Sequence, residues 1–206
     1  MNEGYMDILR SIASSEPTPG GGSVAALSLA HAHSLSLMVA RLTLANDKWA
    51  DGHDAAKTSI ELSETGLEES ILLANSDSEA FESVMSAYRL PKATEIEKKQ
   101  RSEEVRKATI GAALAPLNTA SSAQKLLSNL EKQCASCNPN ALTDLASASE
   151  MALSAAKIAS LNVRINLEYI QGEDVALLNS KIEKAVEGAI KSANNVALTV
   201  NQRLEW

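Results

Sequence analysis

Asp77 occupies the position in this sequence that most favours chemistry. It lies three residues after Ala74 and four before Phe81, so it interrupts the apolar stripe of a predicted helix. Burial of a carboxylate raises its pKa toward the range of a general acid or base that works near neutral pH. The stripe comprises Leu67, Ile71, Ala74, Phe81, Val84 and Tyr88. Because an aspartate that only hydrogen-bonds to a neighbouring helix fits the same position, a structural role stays open.

Three consecutive glycines, Gly20 to Gly22, precede Ser23, which is the predicted N-cap of a helix. Backbone amides at a helix N-terminus can hold an anion or a carbonyl oxygen. The lysine of a phosphate-binding loop is absent, and no strand precedes the glycines, so the run is not a nucleotide-binding fingerprint. A tight turn with positive φ angles is the alternative. The run therefore leaves a ligand-binding role and a turn equally open.

Polar side chains also recur on a later predicted helix. Asp144 and Asn162 are five whole helical turns apart and share one side of the helix, and Asn166 lies one turn further on. The helical rise separates Asp144 from Asn162 by about 27 Å, so within one chain they serve different places. Contacts between helices would satisfy buried amides as well as a ligand would. This spacing slightly favours a structural role for Asn162 and Asn166.

The sequence contains little that indicates a metal site, a redox site or a catalytic nucleophile. His31 and His33 are two residues apart on a helix and point to nearly opposite faces, so they cannot share a metal ion. Cys134 and Cys137 have no second cysteine pair and are interpreted as a thiol pair in a loop. No nucleophile elbow is present. We therefore expect no metal site and no redox cofactor.

The composition restricts the class of protein. The 206 residues are 45% hydrophobic but only 3% aromatic, which favours helices that pack closely over small side chains. The net charge of −7 argues against nucleic-acid and anionic-membrane binding. No apolar run has the length of a membrane span, and Met1 to Gly4 lack the features of a signal peptide. We expect a soluble, cytoplasmic protein.

Helix signals divide the chain into one short and about five long helices. Thr94 and Glu97 form a predicted capping box, and Pro116 predicts a kink or break. The predicted helices cover residues 5–15, 23–45, 53–88, 94 to about 132, 141–170 and 173 to near the end, with a loop at 133–140. They predict one all-α domain over residues 1–206, an antiparallel bundle. Its 36-residue helix, about 54 Å long, leaves apolar stripes uncovered, so we expect a homodimer.

Four segments of the sequence together resemble the cyclodeaminase family. This family includes the C-terminal half of formiminotransferase-cyclodeaminase and stand-alone bacterial methenyltetrahydrofolate cyclohydrolases. The segments, in order along the whole chain, are PTPGGGSVAAL, DSEAFESVMSAYRLPK, NPNALTD and LNVRINL. The resemblance implies an all-helical, dimeric enzyme that acts on a folate without a metal or redox cofactor.

The resemblance also implies roles for particular residues. Asp77 matches the catalytic acid, and Lys48, which precedes Trp49, could stabilise developing charge. Arg89 and Lys92 could bind the glutamate tail of the folate. The residues implied to bind substrate are Gly20, Gly21, Gly22, Ser23, Arg89, Lys92, Asn138, Asn140, Asp144, Asn162 and Asn166. The chain departs from the family at Thr143, where serine is usual, and at His31 and His33, which are interpreted as local additions.

The implied reaction is that of formiminotetrahydrofolate cyclodeaminase, which converts 5-formiminotetrahydrofolate to 5,10-methenyltetrahydrofolate and ammonia. Methenyltetrahydrofolate cyclohydrolase is the close alternative, because both reactions pass through a tetrahedral carbon between N5 and N10. A non-catalytic helical dimerisation module is the alternative from another class. The presence of Asp77 and of the intact glycine run argues against that module.

Overall fold

The computed structural model describes residues 3–206, and every regular element in that range is a helix. Met1 and Asn2 of the predicted domain lie outside the described residues. The helices are α1 Glu3–Ile12, α2 Gly21–Leu44, α3 His53–Tyr88, α4 Glu95–Ala112, α5 Leu114–Ser136, α6 Leu142–Leu167 and α7 Glu173–Leu204, with 3₁₀ segments at Asp47–Gly52 and Pro139–Ala141. The predicted all-α fold is confirmed.

Local signals set several helix boundaries as predicted. The helix α3 spans the expected residues, and the Thr94 hydroxyl accepts from the Glu97 amide at 3.2 Å in the capping box that begins α4. Gly172, with φ 145°, separates α6 from α7. The chain breaks between α4 and α5 at Ala113, three residues before Pro116, whose missing N–H cannot continue the helix. One predicted long helix is therefore two.

Two local predictions are wrong because tertiary contacts decide them. Ser23 is not an N-cap, since α2 begins at Gly21 and Gly20 is its N-cap. Residues 133–136 are not a loop but the last turn of α5. Gln133 is buried there and bonds to α2 twice: the Ser36 hydroxyl donates to its Oε1 at 3.1 Å, and its Nε2 donates to the Ser36 carbonyl at 3.0 Å. These bonds hold the last turn of α5 in helical form.

The helix α2 lies at the centre of the bundle and packs on α3, α5 and α6. The buried face of α3 consists of small residues: Ala56, Ser59, Ser63, Gly66, Ser70 and Ala74. Ile71 and Tyr88 of the predicted apolar stripe are instead about half exposed. Small side chains let two helices approach closely, and Asp77 continues this face toward the N-terminus of α2.

Among the described residues, α2 alone is long and apolar enough to cross a membrane by length and composition. Most of that apolar stretch is buried among neighbouring helices. This packing is that of a bundle core helix.

His33 is the largest polar side chain in this packing. Its ring is 1% exposed and occupies the space that a Cβ on Gly66 would need, so α2 and α3 meet closely only because residue 66 is glycine. Neither ring nitrogen has a hydrogen-bond partner among residues 3–206. Burial lowers the pKa of His33 to about 4. His31 faces away, with its ring nitrogen 3.4 Å from the Tyr5 hydroxyl.

We predict that His33 makes the fold sensitive to acid. Between pH 6.5 and about 4 the unfolded chain binds a proton at this histidine that the folded chain excludes, so the free energy of unfolding falls as the pH falls. His33→Leu removes this group. Urea unfolding should show that the loss of stability between pH 7 and pH 4.5 is smaller in the variant by about 2 to 3 kcal/mol. An equal loss in both proteins would contradict the prediction.

Candidate functional site

A cavity of about 250 Å³ lies at the N-terminus of α2, where that helix meets α3, α6 and the end of α4. Its walls are Pro17, Thr18, Gly20, Gly21, Gly22, Asp77, Phe81, Val84, Ala112, Asn162 and Asn166. The fold thus brings together six residues that were predicted as candidate site residues: the three glycines, Asp77 and the two asparagines. Phe81 and Val84 are one and two turns after Asp77, on the same face of α3.

Asp77 is held by the first turn of α2. The Ser23 hydroxyl lies 3.0 Å from Asp77 Oδ2, 3.0 Å from the Ala74 carbonyl oxygen and 3.1 Å from the Ser78 hydroxyl. Ser23 itself is 1% exposed and does not line the cavity. It therefore positions the carboxylate from behind instead of facing a ligand.

Burial raises the pKa of Asp77 above its ordinary value, and hydrogen bonds from the hydroxyl and the amide of Ser23 oppose that rise. Desolvation is the largest of these effects, so the net direction is upward. The result is a carboxyl group on a cavity wall that is a stronger base than an ordinary aspartate. A group of this kind can take up and return a proton during a reaction.

The glycine run is required for close approach and not for a turn. Gly20 has φ −109°, Gly21 and Gly22 are helical, and Gly172 alone among the described glycines has a positive φ. A Cβ on Gly22 would overlap the Asp77 carboxylate, whereas a Cβ on Gly21 would lie 3.5 Å from the nearest atom, Asn162 Nδ2. Gly22 is therefore the glycine that the site requires.

Asn162 and Asn166 are the residues of α6 that line the cavity. Asn162 Nδ2 donates to the Ile158 carbonyl at 2.9 Å, and Asn166 Nδ2 donates to the Ala112 carbonyl at 3.0 Å. In a continuous helix the Ala112 carbonyl would accept a hydrogen bond from the amide of residue 116. Because Pro116 has no N–H, the side-chain amide of Asn166 donates to that carbonyl instead. The Oδ1 atoms of both asparagines have no partner among residues 3–206 and are available to a ligand.

The remaining residues of the predicted site lie elsewhere in the protomer. Lys48 follows the C-terminal end of α2, with its ammonium 4.8 Å from the centre of the Trp49 ring. The Asn138 amide donates to the Thr43 hydroxyl at 3.1 Å, which places the segment containing Asn138, Asn140 and Asp144 at that same end. The helix α2 has 24 residues, so this end lies about 36 Å from the cavity along the helix. Lys48 and this segment therefore form a second group, far from the cavity within one protomer.

Arg89 and Lys92 follow the C-terminus of α3, and both are exposed. Neither lines the cavity. Arg89 is twelve residues beyond Asp77, about 18 Å along the helix.

Cys134 and Cys137 lie in the core and not in an open loop. Burial raises the pKa of the Cys134 thiol to about 11, and it also raises the pKa of Cys137. Arg203 of α7 donates to the Cys134 and Cys137 carbonyls at 2.7 and 2.9 Å. The thiols are therefore poor nucleophiles, and their surroundings serve to join α5 to α7.

We predict that Gly22 and Gly21 differ sharply in tolerance of a methyl group. Gly22→Ala forces the Asp77 carboxylate away from α2 and should lower the free energy of unfolding by about 1 to 3 kcal/mol, the usual cost of overpacking. Gly21→Ala, the matched control in the same turn, should change it by less than about 1 kcal/mol. Thermal unfolding of both variants tests this, and equal losses would contradict it.

Comparison with known proteins gives related sequences over nearly the whole chain. The family model described as formiminotransferase-cyclodeaminase matches residues 5–187. A methenyltetrahydrofolate cyclohydrolase of Methylorubrum extorquens is 32% identical over 98% of this chain and 94% of its own length. The formimidoyltransferase-cyclodeaminase of Gallus gallus is 25% identical over 96% of this chain, which spans 36% of that longer protein.

A solved structure has the same arrangement of helices. The formiminotetrahydrofolate cyclodeaminase from Thermotoga maritima superposes with a TM-score of 0.80 at 26% sequence identity. The match covers 100% of this chain and 96% of that one. With the family model matching most of its length, this chain belongs to the formiminotransferase-cyclodeaminase family.

Proposed function

We propose that this protein is a folate one-carbon enzyme, a formiminotetrahydrofolate cyclodeaminase. The observation that carries the proposal is the half-buried carboxyl group of Asp77, which Ser23 holds on the wall of a cavity. The same cavity exposes amide oxygens of Asn162 and Asn166, which suit the polar edge of a pteridine ring. Membership of the family supplies the class of substrate.

In the proposed reaction N10 of 5-formiminotetrahydrofolate attacks the formimino carbon and forms a tetrahedral centre between N5 and N10. Asp77 takes the proton that N10 loses and returns a proton to the amino group, which leaves as ammonia. The N5–C–N10 bridge of 5,10-methenyltetrahydrofolate remains. A carboxyl group that performs both transfers is most efficient with a pKa near the working pH, and burial shifts the pKa of Asp77 in that direction.

The proposed reaction exchanges one C–N bond for another and oxidises nothing. It therefore requires no redox cofactor, and we propose that proton transfer by Asp77 proceeds without a metal ion. We propose a soluble, cytoplasmic enzyme with a small-molecule substrate, and the net charge of −7 argues against binding to nucleic acid or to an anionic membrane.

Methenyltetrahydrofolate cyclohydrolase is the second candidate, because a relative of nearly the same length has that name. In this reaction Asp77 takes a proton from water as the water adds to the methenyl carbon. The C–N5 bond then breaks as Asp77 returns that proton to N5, the hydroxyl proton passes to solvent, and 10-formyltetrahydrofolate remains. The two reactions are separated by incubating the purified protein with each folate. Ammonia release with a rise in methenyl absorbance supports the cyclodeaminase, and loss of methenyl absorbance alone supports the cyclohydrolase. A protein inactive on both would be the non-catalytic dimerisation module.

We predict that Asp77→Asn keeps the helical fold but lowers kcat about 10²- to 10⁴-fold, because the variant cannot carry the proton. In the parent protein, activity should fall as the pH drops through the raised pKa of Asp77, above the ordinary aspartate value of 3.8. The variant should lack this ionisation. Asp54→Asn, on an almost fully exposed carboxylate of the same helix, is the matched control and should keep parental activity.

More than a tenth of parental turnover in Asp77→Asn, on whichever folate the protein uses, would remove Asp77 from the catalytic role. Asp144 would then be the next carboxylate to test.

We propose that the protein is a homodimer whose second copy completes the site. Leu72, Leu161 and Leu198 are 64, 62 and 60% exposed, so apolar surface remains uncovered on α3, α6 and α7. Lys48 lies near Asn138 at one end of α2, and Asp77 is at the other. A second copy that runs antiparallel would bring its Lys48 group toward Asp77 of the first.

This arrangement predicts complementation between two inactive variants. Mixed dimers of Asp77→Asn and Lys48→Ala contain one site with both native residues, so co-refolded variants should recover about a quarter of parental activity. Sedimentation should give about twice the chain mass of 21.8 kDa at micromolar concentration. A fully active monomer, or a dimer with no recovery on mixing, would contradict the shared site.

A further inference from the structure

The cavity at Asp77 is too small for a whole folate. Its volume is about 250 Å³, whereas sites that enclose a drug-sized ligand span roughly 300 to 1,000 Å³. The N5–N10 bridge lies in the middle of a folate, with the pteridine on one side and the aminobenzoyl ring and glutamate on the other. If the bridge reacts at Asp77, one of these two parts must lie outside the cavity.

A groove of about 510 Å³ continues directly from the cavity between α3, α4 and the end of α6. Val84 and Asn166 line both spaces, so no helix separates them. The cavity and the groove together have the volume that an enclosed folate requires. A hollow of about 700 Å³ between α3 and α4 is larger, but it has no lining residue in common with the cavity. Its charged lining residues are two carboxylates, Glu82 and Glu104, and one cation, Lys107.

The residues that line the groove suit a ligand that has an aromatic ring and a carboxylate tail. Tyr88 and Tyr169, which are 51 and 86% exposed, line it with aromatic rings, and Val105 and Ile165 supply apolar contacts. Arg106 is the one charged residue among its described lining. The cavity itself offers the amide oxygens that a pteridine needs, so the two spaces match the two halves of the molecule.

Arg106 retains donors for a ligand. Its Nη2 donates to Asp174 Oδ1 at 2.8 Å and to the Gln171 carbonyl at 3.1 Å, while Nε and Nη1 have no partner among residues 3–206. Arg101 adds positive charge at the rim, where its guanidinium lies 5.3 Å from the centre of the Tyr88 ring. Arg106 and Arg101 therefore bring two guanidinium groups to this end of the groove, the kind of group that binds a carboxylate tail.

We propose that this groove is the subsite for the aminobenzoylglutamate half of the folate, with the ring against Tyr88 and Tyr169 and a glutamate carboxylate on Arg106. The inference rests on the proposed function, since it takes the reacting bridge to lie at Asp77. It assigns the tail to residues of α4 and α6, and not to Arg89 and Lys92, which do not line the groove.

The experiment compares the folate that the protein turns over with the matching pteroate, which has the same reacting bridge and aromatic ring but no glutamate. Arg106→Gln should raise KM for the folate about tenfold, the worth of one charge-assisted hydrogen bond, and leave KM for the pteroate within about twofold. Tyr169→Ala should raise KM for both substrates, because both retain the ring. In neither variant should kcat change by more than about threefold, since neither residue lines the cavity at Asp77.

Asp174→Asn is the matched control for Arg106→Gln, because it breaks the same ion pair and keeps the guanidinium. It should not raise KM for the folate. A rise equal to that of Arg106→Gln would show that the ion pair matters only for the fold and would overturn the subsite, as would an unchanged KM in Arg106→Gln or equal rises for folate and pteroate. Parental protein that turns over neither folate would instead overturn the proposed function, and the subsite with it.

Discussion

The contact between Asp77 and the first turn of α2 is the interaction on which the candidate site depends. A helix N-terminus has amides without partners in its own helix, and here no side chain of the N-cap residue bonds to them. A carboxylate from α3 takes that role, held by the hydroxyl and amide of Ser23. The packing that brings the two helices together also removes the carboxylate from solvent. This burial raises the pKa of Asp77, while the bonds from Ser23 lower it and hold the group in place.

The opposite wall of the cavity arises from an interruption in the helices. Pro116 leaves the Ala112 carbonyl without its helical partner, and Asn166 of α6 donates to it instead. This bond joins the end of α4 to α6 at the edge of the cavity and orients the amide so that its oxygen remains available. The site thus uses a helix N-terminus and a helix break, two of the places where a bundle has backbone groups without intrahelical partners.

Features that depend on neighbouring residues in the chain could be predicted from the sequence, and those that depend on other helices could not. The limits of α3, the capping box at Thr94 and the stop at Gly172 follow from local rules. Ser23 fits an N-cap locally, but its hydroxyl bonds to α3. Asp77 was detectable because a break in periodicity is local, whereas the role of Asn166 depends on the packing of α6 against the end of α4. A family resemblance indicates which positions hold which residue types, but it gives no distances. It therefore could not show that Lys48 lies far from Asp77 within one protomer.

The close packing of α2 and α3 over small side chains accounts both for the scarcity of aromatic residues and for the contact that positions Asp77. The distance between packed helices depends on the side chains between them, so a carboxylate as short as aspartate reaches the backbone of α2 only if α3 lies close. Ser70 and Ala74 provide that closeness, and where one larger ring intervenes, at His33, the facing residue is Gly66. A bulky residue at position 70 or 74 would therefore separate Asp77 from Ser23 without altering either. In this protein the small-residue packing face and the proposed catalytic group lie on successive turns of α3. The packing face sets the distance between α3 and α2, and that distance allows Asp77 to contact Ser23.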